Sequence, residues 1–356
     1  MKSIRSTDIY TTKQTDVIFP LVTVIVPCRN ESKFIESLIN SLLEQDYPKE
    51  KVEIIIADGM SDDGTREILQ SFSSRYPRIK IVDNPEKIVS TGLNAAILHA
   101  KGNIIVRMDC HTKYASNYIT ECVNVLKVSD ADNVGGPWIA VGISYLQKAI
   151  AAAFQSPFSC GGAGSHRTTF EGEVDTVYLG CWRKDTLLKL GLFDESLVRN
   201  QDDELNYRII RSGGKIWQSL NIKSWYYPRP SLKALFKQYY QYGYWKVRVI
   251  RKHGRPASFR HIVPAAFVFA ALTSFITSIF SPAMRISLIA VLAPYAVFNF
   301  GASVITAKKT SWSYLPVLPL VFGAFHFGYG LGFLHGLVAQ WLGLARCTRT
   351  VTDLSR

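Results

Sequence analysis

The stretch Ile104-Ile105-Val106-Arg107-Met108-Asp109-Cys110-His111 begins as an apolar run and stops on an acid, a thiol and an imidazole. The aliphatic residues predict a buried parallel strand. In open α/β sheets ligands bind beyond the carboxyl ends of the strands, so Asp109 and His111 stand where chemistry is expected. Asp-x-His offers a hard oxygen and a borderline nitrogen two residues apart, a donor pair suited to holding Mn²⁺ or Mg²⁺ against a diphosphate. Taken alone, the tripeptide is more often a plain strand end with a solvated acid. A second cluster, Gln201-Asp202-Asp203-Glu204, opens a helical pattern that continues to Arg208. The positive end of a helix accounts for one or two of these acids but poorly for all three.

Strands and helices alternate on the way to both clusters. Leu21-Val22-Thr23-Val24-Ile25-Val26 is a strand ending at Pro27-Cys28-Arg29-Asn30-Glu31, and Phe34, Ile35, Leu38, Ile39, Leu42 and Leu43 mark the helix after it, capped by Asn30 or Ser32. Residues 52–57 form a second strand that ends at Asp58-Gly59, and Asp62 and Asp63 are expected to cap the helix that follows. Residues 79–82 read as a strand, 90–100 as a helix, and 115–127 as the helix after the Asp109 strand. This alternation implies an α/β fold with a mostly parallel, doubly wound sheet. A dinucleotide-binding domain is a weak rival, because Pro-Cys-Arg-Asn-Glu-Ser occupies the place of its glycine-rich turn.

The net charge of +13 over 356 residues is unevenly spread. Residues 1–204 carry 22 basic and 27 acidic side chains; residues 205–356 carry 19 basic and one acidic, Asp353. A mildly acidic half joined to a basic, apolar half suits a soluble domain docked on anionic membrane lipids. Nucleic acid is not an expected partner, since the basic residues border long apolar runs. The six cysteines lack framework spacing, so free thiols in a reducing compartment are expected. Residues 1–20 form a polar N-terminal extension without the apolar core of a signal peptide.

Beyond residue 230 the pattern changes. Leu235, Tyr239, Tyr242 and Trp245 share one helical face, and Lys246, Arg248, Arg251, Lys252, Arg255 and Arg260 follow. Residues 231–260 therefore read as a basic amphipathic helix lying in a membrane interface. Residues 261–356 hold about three apolar spans, 262–280, 286–306 and 315–342, each near or above the ~20 residues that cross a bilayer. The third is glycine-rich and could be tilted or partly interfacial. Lys308 and Lys309 mark their loop as cytoplasmic, which makes the chain a multi-pass protein of the cell membrane with its soluble domain inside. Arg346 and Arg349 argue against an external C-terminus.

The ordered set Val26-Pro27-Cys28-Arg29-Asn30-Glu31, Ala57-Asp58-Gly59-x-Ser61-Asp62-Asp63-Gly64-Thr65, Asp109-x-His111 and Gln201-Asp202-Asp203-Glu204-Leu205-x-x-Arg208 resembles family 2 glycosyltransferases. Within them it is similar to the membrane-attached glucosyltransferases of succinoglycan-type exopolysaccharide assembly. The resemblance covers about residues 22–254 and implies a GT-A catalytic domain over 21–230 that uses a nucleotide-diphosphate sugar, such as UDP-glucose, with inversion. It implies that Pro27, Arg29, Asn30, Glu31 and Asp58 hold the nucleoside, and that Asp109 and His111 hold the metal on the diphosphate. Asp202 matches the general base, with Asp203 as a second acid. Gly161, Gly162, Arg208, Gln241 and Trp245 fall on the acceptor or diphosphate side. The chain has Asp-x-His where many relatives have Asp-x-Asp, and Gln201 where an acid often precedes the base. It also keeps the Gln and Trp of a Gln-x-x-Arg-Trp motif but carries Tyr244 for the Arg. A missing cation there favours transfer of one sugar to a lipid-linked saccharide over processive synthesis; a non-catalytic assembly protein is a third reading.

The apolar spans give a direct test. The full-length chain should stay in the membrane pellet after an alkaline carbonate wash, and recovery in the supernatant would reject the spans.

Overall fold

A computed structural model describes residues 19–343, apart from residue 163 and the Cys160 side chain. The N-terminal extension up to residue 18, and the expectation placed on Arg346 and Arg349, lie outside the described residues. The first half alternates as β1 (Val22–Cys28), α1 (Ile35–Leu43), β2 (Val52–Asp58), α2 (Thr65–Arg75), β3 (Ile79–Asp83), α3 (Val89–His99) and β4 (Ile104–Arg107). Then come β5 (Thr112–Tyr114), α4 (Tyr118–Val128), β6 (Asn133–Gly136), β7 (Ile139–Ala140), α5 (Tyr145–Phe154) and α6 (Pro157–Cys160). The α/β half closes with β8 (Gly172–Glu173), β9 (Tyr178–Arg183), α7 (Lys184–Lys189), α8 (Gln201–Arg211), β10 (Ile216–Gln218) and β11 (Ser224–Tyr226). Four long helices follow: α9 (Leu232–His253), α10 (Val263–Phe280), α11 (Pro282–Lys309) and α12 (Leu318–Trp341).

One eight-stranded sheet runs β3-β2-β1-β4-β9-β6-β10-β8, and a three-stranded sheet runs β5-β11-β7. β1 to β4 are parallel, and β9 enters between β4 and β6 antiparallel to both. Every residue of β2 is buried, as its aliphatic run Ile54-Ile55-Ile56-Ala57 requires when helices cover both faces. One face packs Ile35, Leu38, Ile39 and Leu42 of α1 with Ile119 and Cys122 of α4. The other packs Leu93, Ala96 and Ile97 of α3 with Leu205 and Ile209 of α8. The register sets Cys28 beside Asp58 and Asp58 beside Asp83, so the functional ends of three strands are level.

Two local expectations differ from the structure. Asn30 and Ser32 do not cap α1, which begins after Phe34; Asn30 lies at φ 54° and bonds to the next loop instead. The helix expected from residue 115 starts at Tyr118, because the Ala115 amide bonds to the Lys223 carbonyl and prolongs the edge of the small sheet.

The largest difference concerns α9. Its aromatic face, expected to meet lipid, is covered by protein: α12 packs along its length, the Tyr239 ring lies 4.5 Å from that of Phe325, and Trp245 is buried with Leu197 and Val198. The helix also stops earlier than residue 260, at Gly254 in the left-handed conformation. Two backbones meet directly here. A Cβ on Gly332 would stand 1.9 Å from the Tyr240 carbonyl oxygen, and one on Gly243 would stand 2.0 Å from that of Tyr329. The glycines that made the third span look irregular are thus what lets α12 dock.

By contrast α10 and α11 turn large apolar side chains outward, including Phe269, Phe275, Ile279, Ile289, Val297 and Phe298. Such a surface marks the chain as membrane-associated. The segments Phe259–Phe280, Pro282–Lys309 and Leu318–Trp341 are long and apolar enough to cross a bilayer, and the third is the most covered by the rest of the protein. Gly332→Ala should lower stability by about 1–3 kcal/mol through overpacking, read as a reduced thermal midpoint in detergent. Gly323→Ala, where a Cβ meets nothing within 4 Å, is the control. Equal midpoints for the two variants would reject the close-packing account.

Candidate active site

The strand ends open into a cavity of about 580 Å³. Pro27 and Cys28 at the end of β1 and Arg29 just after it, with Asn84, Lys87 and Ile88 after β3, line it. The wall behind them is laced by hydrogen bonds. The Asn30 amide donates to Ser61 Oγ (2.9 Å), its Nδ2 to Asp62 (2.8 Å), the Glu31 amide to Thr65 Oγ1 (2.8 Å), and the Ser32 amide to Asp63 (3.1 Å). Asp62 and Asp63, expected as helix caps, therefore tie the loop after β1 to the loop after β2, and Gly64 occupies the cap position of α2. Burial favours the neutral form of Asp63, but the Thr65 and Ser32 donors outweigh it and hold the carboxyl at about 2. Asp58 is fully buried, accepts from the Ser61 hydroxyl and pairs with Arg66 at 2.9 Å, which in turn reaches Asp83 at 2.6 Å. Of the residues expected at the nucleoside, Pro27 and Arg29 line the cavity; Asn30, Glu31 and Asp58 stand behind its wall.

Asp109 and His111 also line the cavity. Asp109 receives Nε and Nη2 of Arg107 at 2.9 and 3.0 Å, a bidentate pair formed within one strand end. Burial would lower the Arg107 pKa, yet the Asp109 charge reverses this and raises it, so the cation is permanent. Tyr114 fixes the same turn, accepting from the Asp109 amide at 2.6 Å. Burial pushes His111 down to about 4, with Arg229, Arg199 and Arg107 adding to the effect against the opposing charge of Asp109. Its imidazole is therefore neutral near pH 7 and keeps a lone pair for a metal. Its Nδ1 lies 3.9 Å from Glu31. Among the described residues no three acids, histidines or cysteines converge as a complete cage. The donor set nonetheless fits Mg²⁺ or Mn²⁺, which take few protein ligands and fill the remaining positions with phosphate oxygens and water. Asp109 retains lone pairs beyond the two that Arg107 uses.

The acids of α8 divide by environment. Asn200, in the left-handed conformation, sets the helix start, and its Nδ2 donates to the Tyr242 carbonyl (2.9 Å). Asp202 lines the cavity, and burial followed by the charge of Asp203 raises its pKa against the opposing pull of Arg107. Asp203 also lines the cavity, but Lys246 of α9 pairs with it at 2.6 Å. Burial alone would raise Asp203; the ammonium prevails and lowers it. Glu204 faces away, fully buried, with Arg208 at 2.7 Å, Lys252 at 2.8 Å and His253 at 3.0 Å. Two neighbouring carboxyls are thus driven apart in proton affinity, the arrangement that separates an acid–base group from a fixed charge.

The remaining expectations scatter. Gly161 lines the cavity beside Arg260, whereas Gly162 is outside its lining. Arg208 does not reach the cavity; it holds Glu204 and the Leu190 and Leu192 carbonyls. Gln241 and Trp245 are buried behind the wall, where Gln241 accepts from Arg199. Residues that motif reading left unassigned include Arg107, Arg199, Arg229, Tyr178, Tyr242 and Lys246, all in the lining. Arg107 had a signal, a charge closing an aliphatic strand. The others lie in segments whose neighbours only the fold supplies.

The glycosyl transferase family 2 model matches residues 23–173. The succinoglycan biosynthesis protein ExoA of Rhizobium meliloti is 34% identical over 259 residues, covering 71% of this chain and 78% of its own. A Methanococcus voltae protein, dolichyl N-acetyl-alpha-D-glucosaminyl phosphate 3-beta-D-2,3-diacetamido-2,3-dideoxy-beta-D-glucuronosyltransferase, is 26% identical over 326 residues, or 89% of this chain and 97% of its own. Among solved structures, the mannosyltransferase PcManGT from Pyrobaculum calidifontis in complex with GDP-Man and Mn²⁺ superposes with a TM-score of 0.58 at 20% identity, over 89% of this chain and 88% of that one. That likeness carries the fold. With acids of opposed proton affinity at the ends of a mostly parallel sheet and a relative of this identity and coverage, the chain belongs to glycosyltransferase family 2 and is a glycosyltransferase of GT-A fold.

Proposed function

We propose that the protein transfers one sugar, with inversion, from a nucleotide-diphosphate sugar to a lipid-linked saccharide in exopolysaccharide or another surface glycan. The observation that carries this reading is the continuity of the cavity. It runs from Arg29 and Lys87 at the strand ends, past Asp109, His111 and Asp202, to Phe267, Tyr295 and Tyr329 on helices long enough to cross a membrane. A polar donor end and an apolar end among membrane helices suit a water-soluble donor and a lipid-borne acceptor. The succinoglycan and dolichyl-phosphate names of two relatives support the same acceptor class, and the PcManGT complex supports a nucleotide-sugar donor with a divalent cation. The outward apolar faces of α10 and α11 support a multi-pass placement, and Lys308 and Lys309 support a cytoplasmic catalytic side.

The residues divide the work as follows. Pro27, Arg29, Asn30, Glu31 and Asp58 form and brace the nucleoside end. Asp109 and His111 hold Mn²⁺ or Mg²⁺, which when bound offsets the charge that builds on the departing diphosphate. Asp202 accepts the proton of the acceptor hydroxyl as its oxygen bonds to the anomeric carbon. The bond from that carbon to the diphosphate oxygen breaks, and the electron pair leaves with the nucleoside diphosphate. Arg107 keeps Asp109 oriented, and its positive charge restrains the rise in Asp202 proton affinity. Lys246 keeps Asp203 charged, so Asp203 repels a second anion and keeps its neighbour basic.

Asp202→Asn should lower the transfer rate about 10²–10⁴-fold while nucleotide-sugar affinity persists; a near wild-type rate would remove Asp202 from the role. A base works only when ionised, so the wild-type rate should fall as pH drops through the raised Asp202 value. Asp203→Asn removes the neighbouring charge, and the acid limb of the profile should then move to lower pH. A limb that stays in place, or moves upward, would contradict the coupling. For the metal, chelator should abolish turnover, Asp109→Ala should eliminate it and His111→Asp should retain part. Full activity in excess chelator refutes the metal claim. A ladder of products, in place of a single addition, would overturn single-sugar transfer.

A further inference from the structure

Tyr244 stands where processive relatives of this motif carry an arginine, and the structure shows that an arginine there would miss the cavity. Tyr244 is buried against α12, its ring 5.0 Å from that of His335 and its main chain against Gly336. Two guanidiniums arrive instead from other elements. Arg199, just before α8, and Arg229, between β11 and α9, line the cavity together with His111 and Tyr242. Arg199 Nε donates to Gln241 Oε1 at 3.2 Å, and Gln241 has no solvent exposure. The next residue, Asn200, is tied to the Tyr242 carbonyl, so one turn of α9 fixes both. Arg229 Nε is buried and finds no hydrogen-bond acceptor among the described residues. Burial depresses Arg199, and the nearby charge of Arg229 adds to it while Tyr242 opposes. Two of the cavity's carboxylates are engaged, Asp109 with Arg107 and Asp203 with Lys246, while Asp202 acts on Arg199 through its charge. Planar forks of donors that share a cavity wall match phosphate oxygens better than any neutral group.

We propose that Arg199 and Arg229 clamp the diphosphate of the donor, and that Gln241 is the positioning residue that aims Arg199. The clamp rests on the reading of this cavity as a nucleotide-sugar site. It also gives the buried Gln241 a role that does not require the arginine missing at position 244. The phosphate of a lipid-linked acceptor offers the same chemistry, and the experiment separates the two sources.

The full-length chain in detergent is titrated calorimetrically with magnesium pyrophosphate and, separately, with a short polyprenyl phosphate. Arg199→Gln and Arg229→Gln should each weaken pyrophosphate binding about 10- to 100-fold, the range for a lost charged hydrogen-bonding group. Polyprenyl phosphate binding should be unchanged. Gln241→Leu should weaken pyrophosphate less than Arg199→Gln, and the Arg199→Gln, Gln241→Leu double variant should be no weaker than Arg199→Gln alone. Additive losses in that pair would overturn the positioning role. Unchanged pyrophosphate affinity in both Gln variants, or a loss confined to polyprenyl phosphate, would overturn the donor clamp. If a Gln variant fails to fold, Arg199→Lys and Arg229→Lys keep the charge and should bind with intermediate affinity; wild-type affinity in both would count against a guanidinium clamp. Absence of sugar transfer with every nucleotide sugar tried would sink the enzymatic reading, while the pyrophosphate titration would still decide the clamp.

Discussion

Glu204 sits without solvent exposure at the joint between α8 and α9, and the joint depends on its charge being matched. Arg208 approaches from its own helix; Lys252 and His253 approach from α9. Burial favours the neutral acid, and Arg208 and Lys252 overcome it and keep Glu204 ionised. A buried ion group of this kind is not a large source of net stability, but removing its cations would leave an uncompensated charge that costs about 3–5 kcal/mol. It therefore acts as a specificity device. The register of α9 on α8 that satisfies Glu204 also brings Lys246 to Asp203 and Gln241 to Arg199.

The joint couples the soluble and apolar halves of the chain. α9 buries one side against the catalytic domain and the other against α12, where glycines allow backbone contact. The same helix thus touches both α12 and the acids of α8. This explains why a strongly basic segment follows an acidic one in sequence: part of the basic charge is internal counter-charge. Lys246 and Lys252 meet Asp203, Asp194 and Glu204, and Arg260 meets Asp175.

A second constraint is the level ending of β1, β2 and β3 with β4 alongside. Parallel register places Cys28, Asp58 and Asp83 in a row, and the chain after β4 delivers Asp109 and His111 into the same cleft. Loops at such an edge need bracing, and the Asn30, Ser61, Asp62, Asp63 and Thr65 bonds provide it. Several residues that belong to the family motif are in this bracing class. Their placement explains how a motif can be functionally specific when only part of it faces the cavity.

The sequence alone determined the alternating α/β order and the three apolar helices, and it marked Asp109 and Asp202 as candidates. Those features rest on periodicity and on residue types that have few structural uses, so local information suffices. The sequence could not divide the work of the three consecutive acids, because a helix start favours all three equally; in the structure Asp202 and Asp203 line the cavity, Lys246 pairs with Asp203, and Arg208 and Lys252 hold Glu204 away from it. Nor could it assign the aromatic face of α9, since lipid and a glycine-lined helix demand the same apolar pattern. Lys246 read as a charge of a membrane-interface helix, and neither Arg199 nor Arg229 belonged to a motif. Tertiary structure alone brought them from three separate segments to one cavity wall, because their neighbours are close in space and distant along the chain.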